Sequence, residues 1–238
     1  MDACVPTADR DKQERLAVKI CSTDQTRSDG LAAADAPPAG DELVTLAVTL
    51  MQSRQTILPK HLVAPGPDDG QLALLLQAAA SAPDHGRLLP WRFVVVPQSA
   101  RTRLAEVFGA ALLERDPAAT ATQVEQAREK AHRAPLLLLA VVDAQCGDPA
   151  IDLHERTVSA GCAIQNLLLM ATALGFGSAL TSGKALRSAG LRALFGLNAA
   201  EVALCFISVG SVLTRKPARL RPAPSDFVSR LPDADASP

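Results

Sequence analysis

Residues 155–174 read ERTVSAGCAIQNLLLMATAL, and from Ser159 onward this stretch is apolar on almost every side of a helical wheel. Such a helix has no face to give to water, so it predicts a long element covered by neighbours at a core or an interface. Gly175-Phe176-Gly177 ends it with a residue that tolerates the left-handed conformation a helix C-terminus wants. A short extended piece over residues 178–181 follows.

Around this helix lie three short apolar runs: WRFVVV at 91–96, PLLLLAVV at 135–142 and VALCFISV at 202–209. Each has the length and the branched side chains of a buried strand. Helices are predicted from Asp41, with Leu43, Leu46, Ala47 and Leu50 on one face, and from Asp68, where Gln71 completes a capping-box pattern. The second carries Leu72, Leu75, Leu76 and Ala79 as its buried stripe and stops before Pro83. Further helices are expected over about 100–113, 121–133 and 184–195. Strands and helices mix without strict βαβ repetition, which gives an α+β fold: a central mixed sheet, a long buried helix, and helices on both sides.

The ends differ from the middle. Residues 1–40 are rich in Ala, Asp and Pro with no apolar period, and read as a disordered leader; residues 41–231 form the domain and 232–238 a flexible tail. The segment TRKPARLRPAPSDFVSRL from Thr214 is basic and Pro-rich and is expected to lie extended over a surface.

Composition narrows the function. Lys+Arg 24 against Asp+Glu 25 leaves a formal net charge of -1, and no basic tract with interleaved aromatics can follow a phosphate backbone, which argues against nucleic acid. The 5 cysteines are scattered, with no CxxC or Cys/His pair at metal-ligand spacing, and read as free thiols of a reducing compartment. No secretory signal is visible and no apolar run reaches the roughly 18 residues of a membrane span, so a cytoplasmic protein is expected. Gly175-Phe176-Gly177 lies at a helix end and lacks a third glycine, which excludes a dinucleotide fingerprint. There is no G-x-S-x-G, and Cys162 sits among apolar neighbours, so no catalytic nucleophile and no metal site are assigned.

Three blocks, SAPDHGRLLPWRFVVV (81–96), HRAPLLLLAVV (132–142) and SAGCAIQNLLLMATALGFGSAL (159–180), stand in the order and spacing of one family. The chain resembles the FMN-dependent nitroreductases, and within them the short single-domain bacterial NAD(P)H nitroreductases. The resemblance implies a homodimer with FMN held at the subunit interface, NADH or NADPH as hydride donor, and a nitroaromatic, quinone or related small molecule as electron acceptor.

Site residues follow from the same resemblance. Ser53, Arg54 and Gln55 stand where the family holds the flavin phosphate. Ser81 and His85 match two flavin-contact positions of the short subgroup. Leu180, Thr181 and Ser182, with Gly183, stand where that subgroup has Trp-Arg-Ser-Gly packed on the flavin, and Ser182 also suits a helix N-cap. Leu89 replaces a glutamine that meets the ring edge, and Trp91 is expected in the core. Arg215, with Lys216, is the basic-tail residue placed to reach the phosphate. Two other readings fit the departures at Leu89, Ser53 and Thr181: a degenerate dimer with weak or no flavin binding, serving as an accessory protein, or a flavin-dependent dehydrogenase of a biosynthetic pathway.

Overall fold

The computed structural model describes residues 40–214, 217 and 220–231. The chain divides into two units, 1–45 and 46–238. Of the first, residues 40–45 are described and are helical. The expected leader, Arg215 and the 232–238 tail lie outside the described residues, apart from Gly40, which already opens helix α1 (Gly40–Ser53).

The sheet grows from strand β3 (Leu136–Asp143), whose first seven residues are all buried. A run of leucines and valines with no polar alternation can be a strand only if both faces are covered, and here both are. Leu136, Leu138 and Ala140 enter one core with Leu75, Ala79, Ala163, Leu167 and Ile207. Leu137, Leu139 and Val141 enter the other with Leu104, Ala105, Leu191 and Phe206. Each leucine so buried contributes roughly 1.5–3 kcal/mol. The helices supplying these partners are α2 (Asp69–Ala80) and α5 (Leu153–Ala173) on one side, and α3 (Arg101–Arg115) with α6 (Ala189–Leu194) on the other. Helix α4 (Ala121–Glu129) packs on α3.

Strand β5 (Glu201–Val212) pairs with β3, with β4 (Gly177–Thr181) and with the short β1 (Leu62–Val63), while β2 (Trp91–Val95) takes the other side of β3. All four ladders are antiparallel. The parallel component of the expected mixed sheet is confined to one isolated bridge, Thr56 to Ser178.

The start signal of α2 acts as the sequence requires: the Gln71 amide donates to Asp68 Oδ1 at 2.8 Å and the Asp68 amide to Gln71 Oε1 at 3.0 Å. Gly175 takes φ 86 where α5 ends.

Four expectations change. β2 is an edge strand and only half buried, because nothing among the described residues pairs with its outer side. The α2 stripe keeps Leu75 and Ala79, while Leu76 is exposed and Leu72 partly buried. Residues 184–195 form a 3₁₀ turn followed by α6, capped by Ser188; Ser182 instead donates its hydroxyl to the Leu204 carbonyl at 3.2 Å. Finally, α5 is not covered all round by its own chain, since Thr157, Val158, Gly161 and Gln165 form an exposed line along it.

One buried carboxylate ties the sheet edge together. Glu201 accepts from Arg92 Nε at 2.6 Å and from the Asn198 amide at 3.0 Å, and its backbone carbonyl accepts from Arg192. The Arg92 hydrogen bond holds its pKa below the ordinary 4.5. A lowered folded pKa gives stability that is present above the unfolded value and lost as pH falls through the folded one. Glu201→Gln is therefore expected to lower stability to urea at pH 7, with the difference from wild type shrinking as pH falls below about 4.3.

Candidate active site

The segment joining α2 to β2 has a backbone that few sequences would choose. Gly86, Arg87 and Leu89 have φ of 69, 54 and 47 degrees, so two residues with side chains sit in the left-handed region. Such residues cost of order 1–3 kcal/mol each and persist only where the surroundings over-determine them.

The surroundings are three contacts made by the first turns of α5. Glu155 Oε2 lies 2.7 Å from His85 Nδ1. Ser159 Oγ accepts from the Trp91 indole at 3.0 Å. Between them Arg156, 1% exposed, donates to the carbonyls of Ile151 at 2.8 Å, Cys146 at 2.6 Å and Asp148 at 2.7 Å. That fixes the 143–151 loop, on which Leu88 lies so closely that a Cβ at Gly147 would meet Leu88 Cδ2 at 2.4 Å. Asp84 Oδ2 closes the turn by accepting the Leu89 amide at 2.7 Å. Leu88 is thus held inward, while His85, Arg87 and Leu89 stay exposed, Leu89 at 63%. Trp91, expected in the core, is half-buried and ends this clamp.

A second group forms at the end of α1. Arg221 donates to the Arg54 carbonyl at 2.7 Å, and Gln55 Nε2 reaches the Pro217 carbonyl at 3.5 Å. Burial, and then the nearby charge of Arg221, hold the Arg54 guanidinium below its usual pKa. Neither arginine has a carboxylate partner among the described residues. Two cations brought near each other with no acid between them are the kind of arrangement that an anion would stabilise. Ser53 turns its hydroxyl back to the Leu50 carbonyl at 2.9 Å.

The Ile57 amide donates to the Ser178 carbonyl at 3.0 Å, which lays the Arg54 end of the chain beside β4. Leu180, Thr181 and Ser182 lie two to four residues further along and are exposed. At about 3.3 Å per residue they fall within roughly 7–13 Å of Ser178. The second group is therefore Arg54, Gln55 and Arg221; because the Thr56–Ser178 bridge is parallel, the 180–182 segment runs on from it in the direction away from Arg54. His85, Arg87 and Leu89 make the first group. Ser81 is the exposed C-cap of α2. A cavity of about 670 Å³ lined by Lys60, Glu106, Arg128, His132 and Arg133 contains none of these residues.

Cys146, Cys162 and Cys205 are free thiols among the described residues. Burial raises Cys205 to about 11. No group of metal-binding residues occurs among the described residues.

Sequence reasoning missed Arg221, Arg87 and Glu155. Arg221 belongs to the basic tail, whose composition signalled a cationic segment without saying which cation turns back. Glu155 pairs with a residue 70 positions away, and no local pattern shows that.

Comparison with known proteins gives one family. The family model described as "Nitroreductase family" matches residues 51–211. A Haemophilus influenzae protein named "Putative NAD(P)H nitroreductase" is 32% identical over 186 residues, covering 78% of this chain and 99% of that protein. Among solved structures, a nitroreductase-like family protein from Bacillus cereus superposes with a TM-score of 0.67 at 15% identity, over 77% of this chain and 95% of the other. A nitroreductase with bound FMN from Desulfitobacterium hafniense does so at 0.57 and 19% identity, over 78% and 97%.

If the Arg156 fan holds the 84–91 segment, Arg156→Met strands three carbonyls, that of Ile151 buried and those of Cys146 and Asp148 partly buried. It is expected to lower stability to urea by roughly 2–4 kcal/mol. Hydrogen exchange of the Leu89 amide should quicken in parallel, and Arg156→Lys, with one donor group in place of a fork, should recover less than half of the loss.

Proposed function

The chain belongs to the nitroreductase family, and on that premise we propose that it is an FMN-dependent oxidoreductase that passes electrons from NADH or NADPH to a small organic acceptor. The observation that carries this reading is the approach of Arg221 to Arg54 without an intervening acid. The flavin phosphate is a dianion, and the pair supplies the charge and the forked donors it needs. Gln55 adds an amide beside them. His85, steadied by Glu155, and the 180–182 segment are proposed to border the isoalloxazine ring, with Ser81 at the rim.

When bound, the flavin supplies the two-electron chemistry; the protein's part is to seat it, orient it and set the field around it. The forked guanidiniums fix one end. The Nδ1 contact to Glu155 leaves His85 Nε2 directed away from α5, free to meet a polar ring atom. The residues present thus fit the group.

We further propose that the site is completed by a second copy of the chain. His85 and Arg54 belong to separate groups within one protomer, and both stand open. Beside them the chain leaves apolar side chains in water: Leu46 and Met51 of α1 at 64% and 59% exposure, and Val158 of α5 at 65%. A face of that kind marks a partner surface, and a symmetric pair of copies covers it twice.

The purified protein is expected to be yellow or to become so on incubation with FMN, and the colour to bleach with NADH or NADPH in the absence of oxygen. Arg54→Gln and Arg221→Gln should each weaken FMN binding by about tenfold or more, since each removes a charge-assisted contact worth roughly 1.5–3 kcal/mol. A protein that takes up no FMN overturns the reading in favour of a flavin-free accessory dimer. Bleaching by a reduced organic substrate but not by nicotinamides would make it a dehydrogenase.

Assembly is tested separately. The native mass should be twice the 24.9 kDa of one chain, and Val158→Asp, by placing charge in the covered face, should yield monomers that also lose FMN.

A further inference from the structure

The left-handed residues of the 84–91 segment raise a question that the flavin reading leaves open. Glycine or asparagine would hold φ of 54 or 47 degrees with little or no strain. The chain instead puts an arginine and a leucine there, both exposed. Neither side chain is consumed by the fold: Arg87 has no carboxylate partner among the described residues, and Leu89 leaves 63% of its surface in water. Leu88 between them, by contrast, packs onto the 143–151 loop. The strain therefore leaves both side chains free on one turn, closed by Asp84 and backed by the buried Arg156.

We propose that Arg87 and Leu89 grip the electron acceptor, and that the acceptor class is a planar aromatic bearing a carboxylate. The proposal rests on the flavin site argued above. Two residues apart, their Cα atoms are at most about 7.6 Å from each other, within reach of a single benzoate-sized molecule. Leucine gives the ring an apolar contact, and the guanidinium meets the carboxylate with two parallel donors.

A dianionic phosphate of the hydride donor fits less well at the same place. The other basic side chain of this turn, His85, already faces the Glu155 carboxylate at 2.7 Å, and that charge would repel a dianion. One free guanidinium beside an apolar side chain matches one negative charge on a ring. The cations that do suit a phosphate, Arg54 and Arg221, lie elsewhere, where Arg221 donates to the Arg54 carbonyl.

The test uses the FMN-loaded full-length protein and begins with binding. Benzoate and benzamide, which cannot be reduced, are titrated while the flavin absorbance is followed. Benzoate is expected to bind about tenfold tighter than its neutral isostere, and 0.5 M NaCl should shrink the gap. Arg87→Asn, which keeps a residue at home in the left-handed region, should bring the two affinities together; Arg87→Lys should restore part of the gap. Leu89→Gln should weaken both ligands by a similar factor. The ratio of kcat/KM for 4-nitrobenzoate over 4-nitrobenzamide should follow the same order.

Equal affinities in the wild type, or a preference that survives Arg87→Asn, overturns the assignment. So does an Arg87→Asn effect confined to the NADPH-over-NADH ratio of flavin bleaching, because the arginine would then serve the donor's phosphate. A protein that takes up no FMN removes the flavin reading along with this one; one that takes up FMN but ignores the carboxylate overturns this inference alone.

Discussion

Three adjacent commitments at the start of α5, made by Glu155, Arg156 and Ser159, hold the part of the molecule that its chemistry would use. Arg156 is central because its charge is buried without a counter-charge. A guanidinium in that position is tolerable only where most of its donors are matched, and the carbonyls of 146, 148 and 151, with the Asp143 carbonyl and the Cys146 sulfur beside Nη1, accept from it. The dependence is mutual. The loop keeps its shape because the arginine is there, and the arginine stays buried because the loop turns its carbonyls inward. Through Leu88 this rigid unit passes to the 84–91 turn and holds two side-chain-bearing residues in a conformation they would otherwise leave.

The same economy separates arginines that the fold uses from arginines that it leaves free. Arg101 is solvated by the carbonyls of Val96, Ala131 and Pro135, at 3.0, 2.7 and 3.3 Å, and 1% of it is exposed. It ties the start of α3 to both ends of the neighbouring strands. Arg54, Arg221 and Arg87 are the opposite case: part or all of each guanidinium faces outward, and no carboxylate pairs with it among the described residues. Surface arginines commonly find an acid nearby because the pairing is easy, even if each pair is worth little. Here Arg221 turns back onto the Arg54 carbonyl, and burial, then the charge of Arg221, holds the Arg54 guanidinium below its usual pKa.

Much of this could be read from the sequence, for identifiable reasons. The 136–142 run announced a strand buried on both faces because seven apolar residues leave no side for water, and the two cores confirm the reading. Asp68 with Gln71 announced a helix start because the capping box is local. Contacts that depend on distant pairing could not be read. Nothing near Trp91 says that β2 is an edge, since that follows from which strand takes the far side of β3. Ser182 looked like an N-cap because the residues after it are helical, but Leu204 of the adjoining strand offers its hydroxyl a better partner. The basic tail was recognisable as cationic, while which arginine returns to α1 depends on where Pro217 meets Gln55. The open line on α5 was hidden by its own composition, because a helix that is apolar all round looks the same whether its cover comes from one chain or two.

The departures from the family pattern take on meaning against this frame. Thr181 and Leu89 give up hydrogen-bonding or charged groups, and the loss looks like decay if each position is weighed alone. Yet the turn carrying Leu89 is among the most constrained pieces of the molecule, with an aspartate closing it, a buried arginine behind it and an indole hydrogen bond at its end. A segment that had lost its use would be free to relax toward glycine or asparagine and shed its strain. Instead the scaffold holds Leu89 outward next to an unpaired guanidinium. Under the proposed function, the change at this position is therefore better understood as an altered surface for whatever meets the flavin than as the erosion of the site proposed to hold it.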